Sequence, residues 1–344
     1  MNYPDADRIL KLITSADKIV IMQADNPDGD SLGSALALEH ILGDMGKKTW
    51  LYCAVDMPGY LHYLPGWDRV SNDIPSKFDL SIIVDASTMT LFDKLAKSGK
   101  QGWVASKPCV VLDHHRGVTN EIPFATITIN DYSKSSAGEV IYTLATQLGL
   151  TISRPAQECI MTAILGDTQG LSNNLASPST YRIVADMIEA GINRPLLEET
   201  RREYSKMPPE IFRYKAALIS RTEISDEGRI GSVTIPYAEI TTFSPLYNPG
   251  ALIQGDILQT KGIAVAIVFK SYDDGHMTAA IRCNPSGSIG VELAEHFGGG
   301  GHPYASGFKV NTGRTFNEVK SECLKLAAEL LQSKAQQSAA ATNA

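Results

Sequence analysis

Apolar positions in residues 1–190 fall into two kinds of run. KIVIM (18–22), LSIIV (80–84) and PCVVL (108–112) are short, rich in β-branched residues and nearly free of polar ones. Runs like these predict strands buried on both faces of a parallel sheet. Elsewhere the spacing is helical. SLGSALALEHILGDMG (31–46) predicts a helix with Ser31 as its cap and Gly46 just past its end, and SSAGEVIYTLATQLG (135–149) a second. RPAQECIMTAILGD (154–167) is a third, with Pro155 in its first turn, and SPSTYRIVADMIEAG (177–191) a fourth, closed by Gly191. Alternation of strand and helix implies an open α/β sheet.

The texture changes along the rest of the chain. Residues 195–225 are charged and helical in pattern, which suits a connector. After it, RIGSVTIP (229–236), AVAIVFKSY (264–272) and HMTAAIRCN (276–284) predict strands, with DDG (273–275) as a hairpin turn. VELAEHF (291–297) has helical spacing and leads into a glycine loop, FGGGGHPYASGF (297–308). An amphipathic helix is expected over about 315–332, then a frayed tail at 333–344. The expected division is 1–194, a helical connector 195–225, a smaller α/β domain 226–332, and the tail.

Composition narrows the classes. The 344 residues suit two domains. Lys and Arg total 31 against 38 Asp and Glu, a net charge of −7. An acidic balance argues against coating long duplex DNA, but a local basic pocket for a small anion stays open. No apolar run is long enough to span a bilayer, and MNYPDADRILKL lacks a signal-peptide pattern, so a cytoplasmic protein without a membrane partner is expected. The five cysteines, Cys53, Cys109, Cys159, Cys283 and Cys323, are scattered and form no C-x-x-C, which points to free thiols.

Four apolar segments end in acidic residues. Asp28 and Asp30 lie in DNPDGDSLGS after the first strand, and Asp85 follows the second in IIVDAS. Asp113, His114 and His115 follow the third in VVLDHHRG, and Asp167 ends a helix in AILGDTQG. Taken singly, DNPDGD is turn chemistry and Asp85 a helix cap. Taken together, three strand ends bring carboxylates to one crevice, because ligands of open α/β sheets bind beyond the carboxyl ends of the strands. Gathered carboxylates repel unless a cation neutralises them. Carboxylates with imidazole suit Mn²⁺, Fe²⁺ or Zn²⁺, and carboxylates alone suit Mg²⁺. Two such ions clamp an in-line displacement at phosphorus. The glycine run suits an anion held by backbone N–H groups, with His302 as a further donor and Arg282 as a bidentate fork.

The order NPDGDSLGS, VDAS, DHH, GDTQG, GGGGHPYASG resembles the DHH phosphoesterase family with its C-terminal DHH-associated domain, across about residues 15–330, and within it the nanoRNase/pAp phosphatase branch. The resemblance implies an open, mostly parallel sheet domain plus a smaller α/β domain, and two Mn²⁺ ions. It implies Asp28 and Asp85 on one ion, with Asp30, Asp85, His114 and Asp167 on the other and Asp85 bridging. His115 would face the substrate phosphate, with Asp113 orienting the imidazoles. Arg282, Gly299, Gly300, Gly301 and His302 would hold a terminal phosphate, the substrate lying between the domains. Implied substrates are short 5′-phosphorylated oligonucleotides, linear dinucleotides or pAp. A cyclic dinucleotide phosphodiesterase and a non-catalytic nucleotide-binding protein are the alternatives. A homodimer fits domains of this size.

The chain departs from the family pattern once. The family's first motif begins with a His four residues before its first Asp, where this chain has Ala24. Strand alternation points Gln23 and Asp25 to the side opposite Ala24. The first metal site is therefore expected to be weaker, filled by water, or completed by Asp25. A strand end facing a polar cleft is expected to have room for an imidazole at position 24.

Overall fold

In a computed structural model of the chain the three short apolar runs are neighbouring strands. The structure describes residues 2–115, 121–243, 248–302, 304–311 and 313–342, the side chains of His302 and of 338–342 excepted. It divides into two units, Met1–Lys206 and Met207–Ala344.

The first unit is a parallel sheet of β1 (Lys18–Met22), β2 (Lys48–Tyr52), β3 (Leu80–Val84), β4 (Cys109–Asp113) and β5 (Ile127–Asn130), in the order β2-β1-β3-β4-β5. Its helices are α1 (Ala6–Ser15), α2 (Gly29–Asp44), α3 (Asp93–Lys97), α4 (Gln101–Ala105), α5 (Ala137–Gln147), α6 (Arg154–Asp167), α7 (Pro178–Glu189) and α8 (Arg194–Tyr204). Successive strand residues point to opposite faces. Ile19, Ile21, Ile82, Val84, Val110 and Leu112 pack in a core with α2, α5 and α6. Val20, Met22, Ile83 and Val111 enter a second core with Phe92, Leu95 and Val104. Both faces are covered, which is why these strands carry no polar alternation. The edge strands β2 and β5 are only partly buried and lack that apolar run.

Strand order reverses at β1, which pairs with β2 on one side and β3 on the other. Such a switch point opens a crevice at the carboxyl ends of β1 and β3, where Asp28, Asp30 and Asp85 follow in sequence.

The second unit has a mixed sheet of β6 (Glu223–Ser225), β7 (Ile230–Ile235), β8 (Val265–Ser271), β9 (Met277–Cys283), β10 (Gly300–His302) and β11 (Ala305–Val310), in the order β10-β11-β9-β8-β7-β6. Only β7 and β8 are parallel. Its helices are α9 (Pro209–Ser220), α10 (Tyr237–Phe243), α11 (Pro249–Gln259), α12 (Gly290–His296) and α13 (Phe316–Thr342). Strand residues such as Ile267, Phe269 and Ile281 pack with α12 and α13, and Ala266 and Val268 with α9 and α11.

Three expectations change here. The stretch 195–225 is divided between the units: α8 falls in the first and α9 in the second, where Ile211, Tyr214 and Leu218 are core residues. Charged neighbours hid those three apolar positions. The region 297–308 contains a hairpin, β10 paired antiparallel with β11. Residues 333–342 continue α13, as a run of Ala, Gln and Lys favours. The five cysteines are buried and free. Among the described residues no helix is long and apolar enough to cross a membrane.

Candidate active site

Helix α2 starts two residues before the expected cap. Asp28, in extended conformation, accepts from the backbone N–H groups of Asp30 and Ser31 at 3.0 Å each. Ser31 returns a bond to the Asp28 N–H at 2.8 Å, so Ser31 closes a capping box instead of starting it. The next acidic residue, Asp30, is fully buried. Its carboxylate accepts from Ala137 N (2.7 Å), Gly138 N (3.1 Å) and Ser34 Oγ (2.9 Å). The first turn of α5 thus offers its free N–H groups to a carboxylate of α2.

His114 Nε2 is the centre of the cluster. It lies 3.1 Å from Asp167 Oδ2, 3.4 Å from Asp30 Oδ2 and 3.5 Å from Asp85 Oδ1. Asp30, His114 and Asp167 form one group with metal-ligand proximity, and Asp85, Asp113, His114 and His115 another. Asp28 belongs to neither group. Asp85 Oδ1 and His114 Nε2 are buried and have no hydrogen-bond partner among the described residues. Asp85 also adopts a left-handed backbone, φ 58°, in place of the helix cap its sequence suggests. For a non-glycine residue that is a strained state of the kind found at functional sites.

Electrostatics set the cation requirement. Burial raises the Asp30 carboxyl to about 7, and the nearby Asp167 charge adds to the effect. Burial, then Asp30, raises Asp85 well above the usual carboxylate range. For His114 burial works downward, but Asp167, Asp85 and Asp30 override it and raise the imidazole to about 11. A divalent cation among these oxygens and the imidazole nitrogen removes the need for the protons, so the donor set fits one.

His115 is half-exposed, and its Nδ1 lies 2.8 Å from Asp113 Oδ1. The hydrogen bond with Asp113 raises the His115 pKa. Asp113 also accepts from His114 N at 2.8 Å and from Ser87 Oγ. It therefore holds the His114 backbone and the His115 ring, and no bond runs from it to the His114 ring. Asn130 Nδ2 donates to His115 O at 2.9 Å. Ser87, Asn130 and Ser34 were not legible as site residues, since isolated Ser and Asn carry no spacing signal.

Ala24 is buried, in the apolar cluster with Val20, Met22 and Ile83. One carboxylate oxygen of Asp25 accepts from Lys94 N at 2.7 Å, and the other is buried without a hydrogen-bond partner among the described residues. Gln23 is fully buried, and both polar atoms of its amide lack a partner among the described residues.

In the second unit the register aligns Arg282 with Ala305, and Ala305 with His302, across β9, β11 and β10. Arg282 and His302 thus share a row with one strand, β11, between them; the His302 side chain lies outside the described ones. Arg282 lines a cavity of about 370 Å³ together with Lys270, Asn248 and Gln254. Two of the glycines have reasons inside the fold. A Cβ on Gly299 would stand 2.2 Å from Gly307 O, and one on Gly301, φ 137°, would stand 2.6 Å from Ala305 O. The Cβ position of Gly300 meets nothing within 4 Å. Gly301→Ala is expected to cost about 2 kcal/mol or more in stability. Gly300→Ala should stay within about 0.5 kcal/mol of wild type; thermal melts of the two variants check both.

Residues 18–164 match the DHH family, N-terminal domain. The chain is 25% identical over 303 residues to a probable bifunctional oligoribonuclease and PAP phosphatase NrnA of Streptococcus mutans, covering 87% of this chain and 91% of that one. It is 23% identical over 305 residues to the bifunctional oligoribonuclease and PAP phosphatase NrnA of Bacillus subtilis, covering 88% and 92%. Among solved structures it resembles an exopolyphosphatase-related protein from Bacteroides fragilis, with TM-score 0.81 and 23% identity over 95% of this chain and 97% of the other. The likeness to the DHH family thus spans residues 18–164 of the chain.

Proposed function

We propose that this protein is a metal-dependent phosphoesterase acting on short 5′-phosphorylated oligonucleotides, linear dinucleotides or pAp, with release of nucleoside monophosphates. The observation that carries the reading is the convergence of three carboxylates on His114 Nε2 in a buried setting. Asp28, Asp30, Asp85, His114 and Asp167 would hold two divalent ions; mixed carboxylate and imidazole donors suit Mn²⁺, Fe²⁺ or Zn²⁺, and the family likeness favours Mn²⁺. When bound, such a pair supplies hydroxide near neutral pH and neutralises charge developing on phosphate oxygens. The protein's own part is positional. The Asp113 carboxylate pairs with Nδ1 of His115 and favours the protonated ring, and in that imidazolium form the half-exposed ring also carries an Nε2 proton to donate to an anionic substrate. Asp30 is locked by three donors and cannot swing away. Arg282, Gly299, Gly300, Gly301 and His302 anchor the terminal phosphate. The curated relatives, whose names give both activities, support the substrate class.

Arg282→Ala should raise KM for pAp about 10–100-fold, the worth of a charge-assisted phosphate contact, with Mn²⁺ binding unchanged. A phosphodiester lacking a terminal phosphate should lose less; equal losses on both would remove Arg282 from the anchor. The function itself is tested by a Mn²⁺ assay across pAp, RNA of two to five nucleotides and cyclic di-AMP, with products resolved by chromatography. Cleavage of cyclic di-AMP alone would favour a cyclic dinucleotide phosphodiesterase. Ala24 favours a second reading, a nucleotide-binding protein without turnover, and tight pAp binding with no product at millimolar Mn²⁺ would select it.

A further inference from the structure

Glu139 is a charged group that the chemistry above does not use. It lies in the first turn of α5 and is fully buried. Its Oε2 accepts from Ser135 N at 3.1 Å, Ser135 Oγ at 2.7 Å and Thr180 Oγ1 at 2.8 Å. Its Oε1 lies 3.4 Å from Lys134 Nζ and 3.3 Å from Ser179 Oγ. One carboxylate thus ties the segment entering α5 to the first turn of α7. Between these anchors stand the two N–H groups, of Ala137 and Gly138, that hold Asp30.

The same turn is fixed from two further sides. Ser136 caps α5 by accepting from Glu139 N at 3.1 Å. A Cβ on Gly138 would come within 2.5 Å of the Ala163 Cβ, so the turn already sits against α6 as closely as glycine permits. A buried carboxylate is costly unless its acceptor capacity is filled. Here it is filled by five contacts, and each restrains the backbone that presents Ala137 N and Gly138 N.

We propose that Glu139 is a positioning residue of the metal site. Its hydrogen-bonded carboxylate sets the Ala137 and Gly138 N–H pair, and that pair sets the orientation of the Asp30 carboxylate toward His114. This inference rests on the reading of Asp30 as a metal ligand. Glu139→Gln replaces an acceptor oxygen by an NH₂ that must face an existing donor, either Lys134 Nζ or the Ser135 groups, while conserving volume.

The test compares wild type, Glu139→Gln and Ile141→Val by calorimetric titration with MnCl₂ and by the amide resonances of Ala137 and Gly138 in the metal-free protein. Ile141 is a core residue of the same helix with no bond to the site, so it controls for lost stability alone. Thr180→Val, which removes one bond to Glu139, replaces Glu139→Gln if that variant fails to fold. The expected result is at least a tenfold weaker Mn²⁺ affinity for the Glu139 or Thr180 variant, with both amide resonances shifted, and none of this for Ile141→Val. Unchanged affinity and amide resonances in a folded variant overturn the proposal, as does an equal affinity loss in Ile141→Val. Wild type that binds no Mn²⁺ defeats the metal reading instead, and the amide resonances still decide whether Glu139 sets the N–H pair.

Discussion

Asp85→Asn is expected to abolish turnover, with a loss of at least about 10³-fold, or roughly 4 kcal/mol of transition-state stabilisation. Asp85 is buried at the end of β3, its Oδ1 3.5 Å from His114 Nε2 and 3.7 Å from His115 Nδ1. As the proposed bridge it is the one ligand whose charge both ions share. The substitution is clean for two reasons. Asn tolerates the left-handed backbone that Asp85 adopts. A neutral amide also removes a buried carboxylate whose charged form burial disfavours. The folded carboxyl pKa lies above its unfolded value, so ionisation costs stability as pH rises through the folded pKa. Asn avoids that cost, and the metal-free variant should melt no lower than wild type at neutral pH. The measurements are a Mn²⁺-dependent hydrolysis rate, a Mn²⁺ isotherm and a metal-free melt. Retention of more than about a tenth of wild-type activity would remove Asp85 from the bridging position.

Gly33→Ala is expected to cost about 2 kcal/mol of stability net. A Cβ there would stand 2.7 Å from Cys159 O and 3.2 Å from Ala163 N, both backbone atoms in the middle of α6. Backbone within a packed helix cannot rotate away, so α2 and α6 must separate. Better helix propensity returns only about 1 kcal/mol. At about 2–4 °C per kcal/mol for a unit of this size, the melting midpoint should fall by roughly 4–8 °C. Separation also moves Asp30, in the first turn of α2, against Asp167, the last residue of α6, so hydrolysis should fall as well. Gly43→Ala is the control. It lies in the same helix with nothing within 4 Å of its Cβ position, and should hold or gain stability. Equal behaviour of the two variants would sink the packing argument.

Legibility followed burial and periodicity. The central strands β1 and β3 are readable to the residue because both faces are covered and only the small Ser81 breaks the apolar run. Edge strands β2 and β5 and the short β10 escaped because half-exposed or glycine-rich strands carry no such run. In α2 the sequence points to Ser31 as readily as to Asp28, because both partners of a capping box have capping chemistry, and only the chain's path shows which comes first.

The acidic strand ends, the His114–His115 pair and the glycine run were determined by sequence, because metal-ligand chemistry restricts residue type and leaves a linear mark. Tertiary structure decided which of them meet. Register and strand order bring Asp30, Asp85 and Asp167 to His114, commit Asp25 to Lys94 N, and bury Ala24 in an apolar cluster. It also recruited Glu139, Ser34, Ser87 and the N–H groups of Ala137 and Gly138. Their roles depend on hydrogen-bond geometry between segments as much as 108 residues apart, and directional contacts across that separation impose no periodicity on the chain.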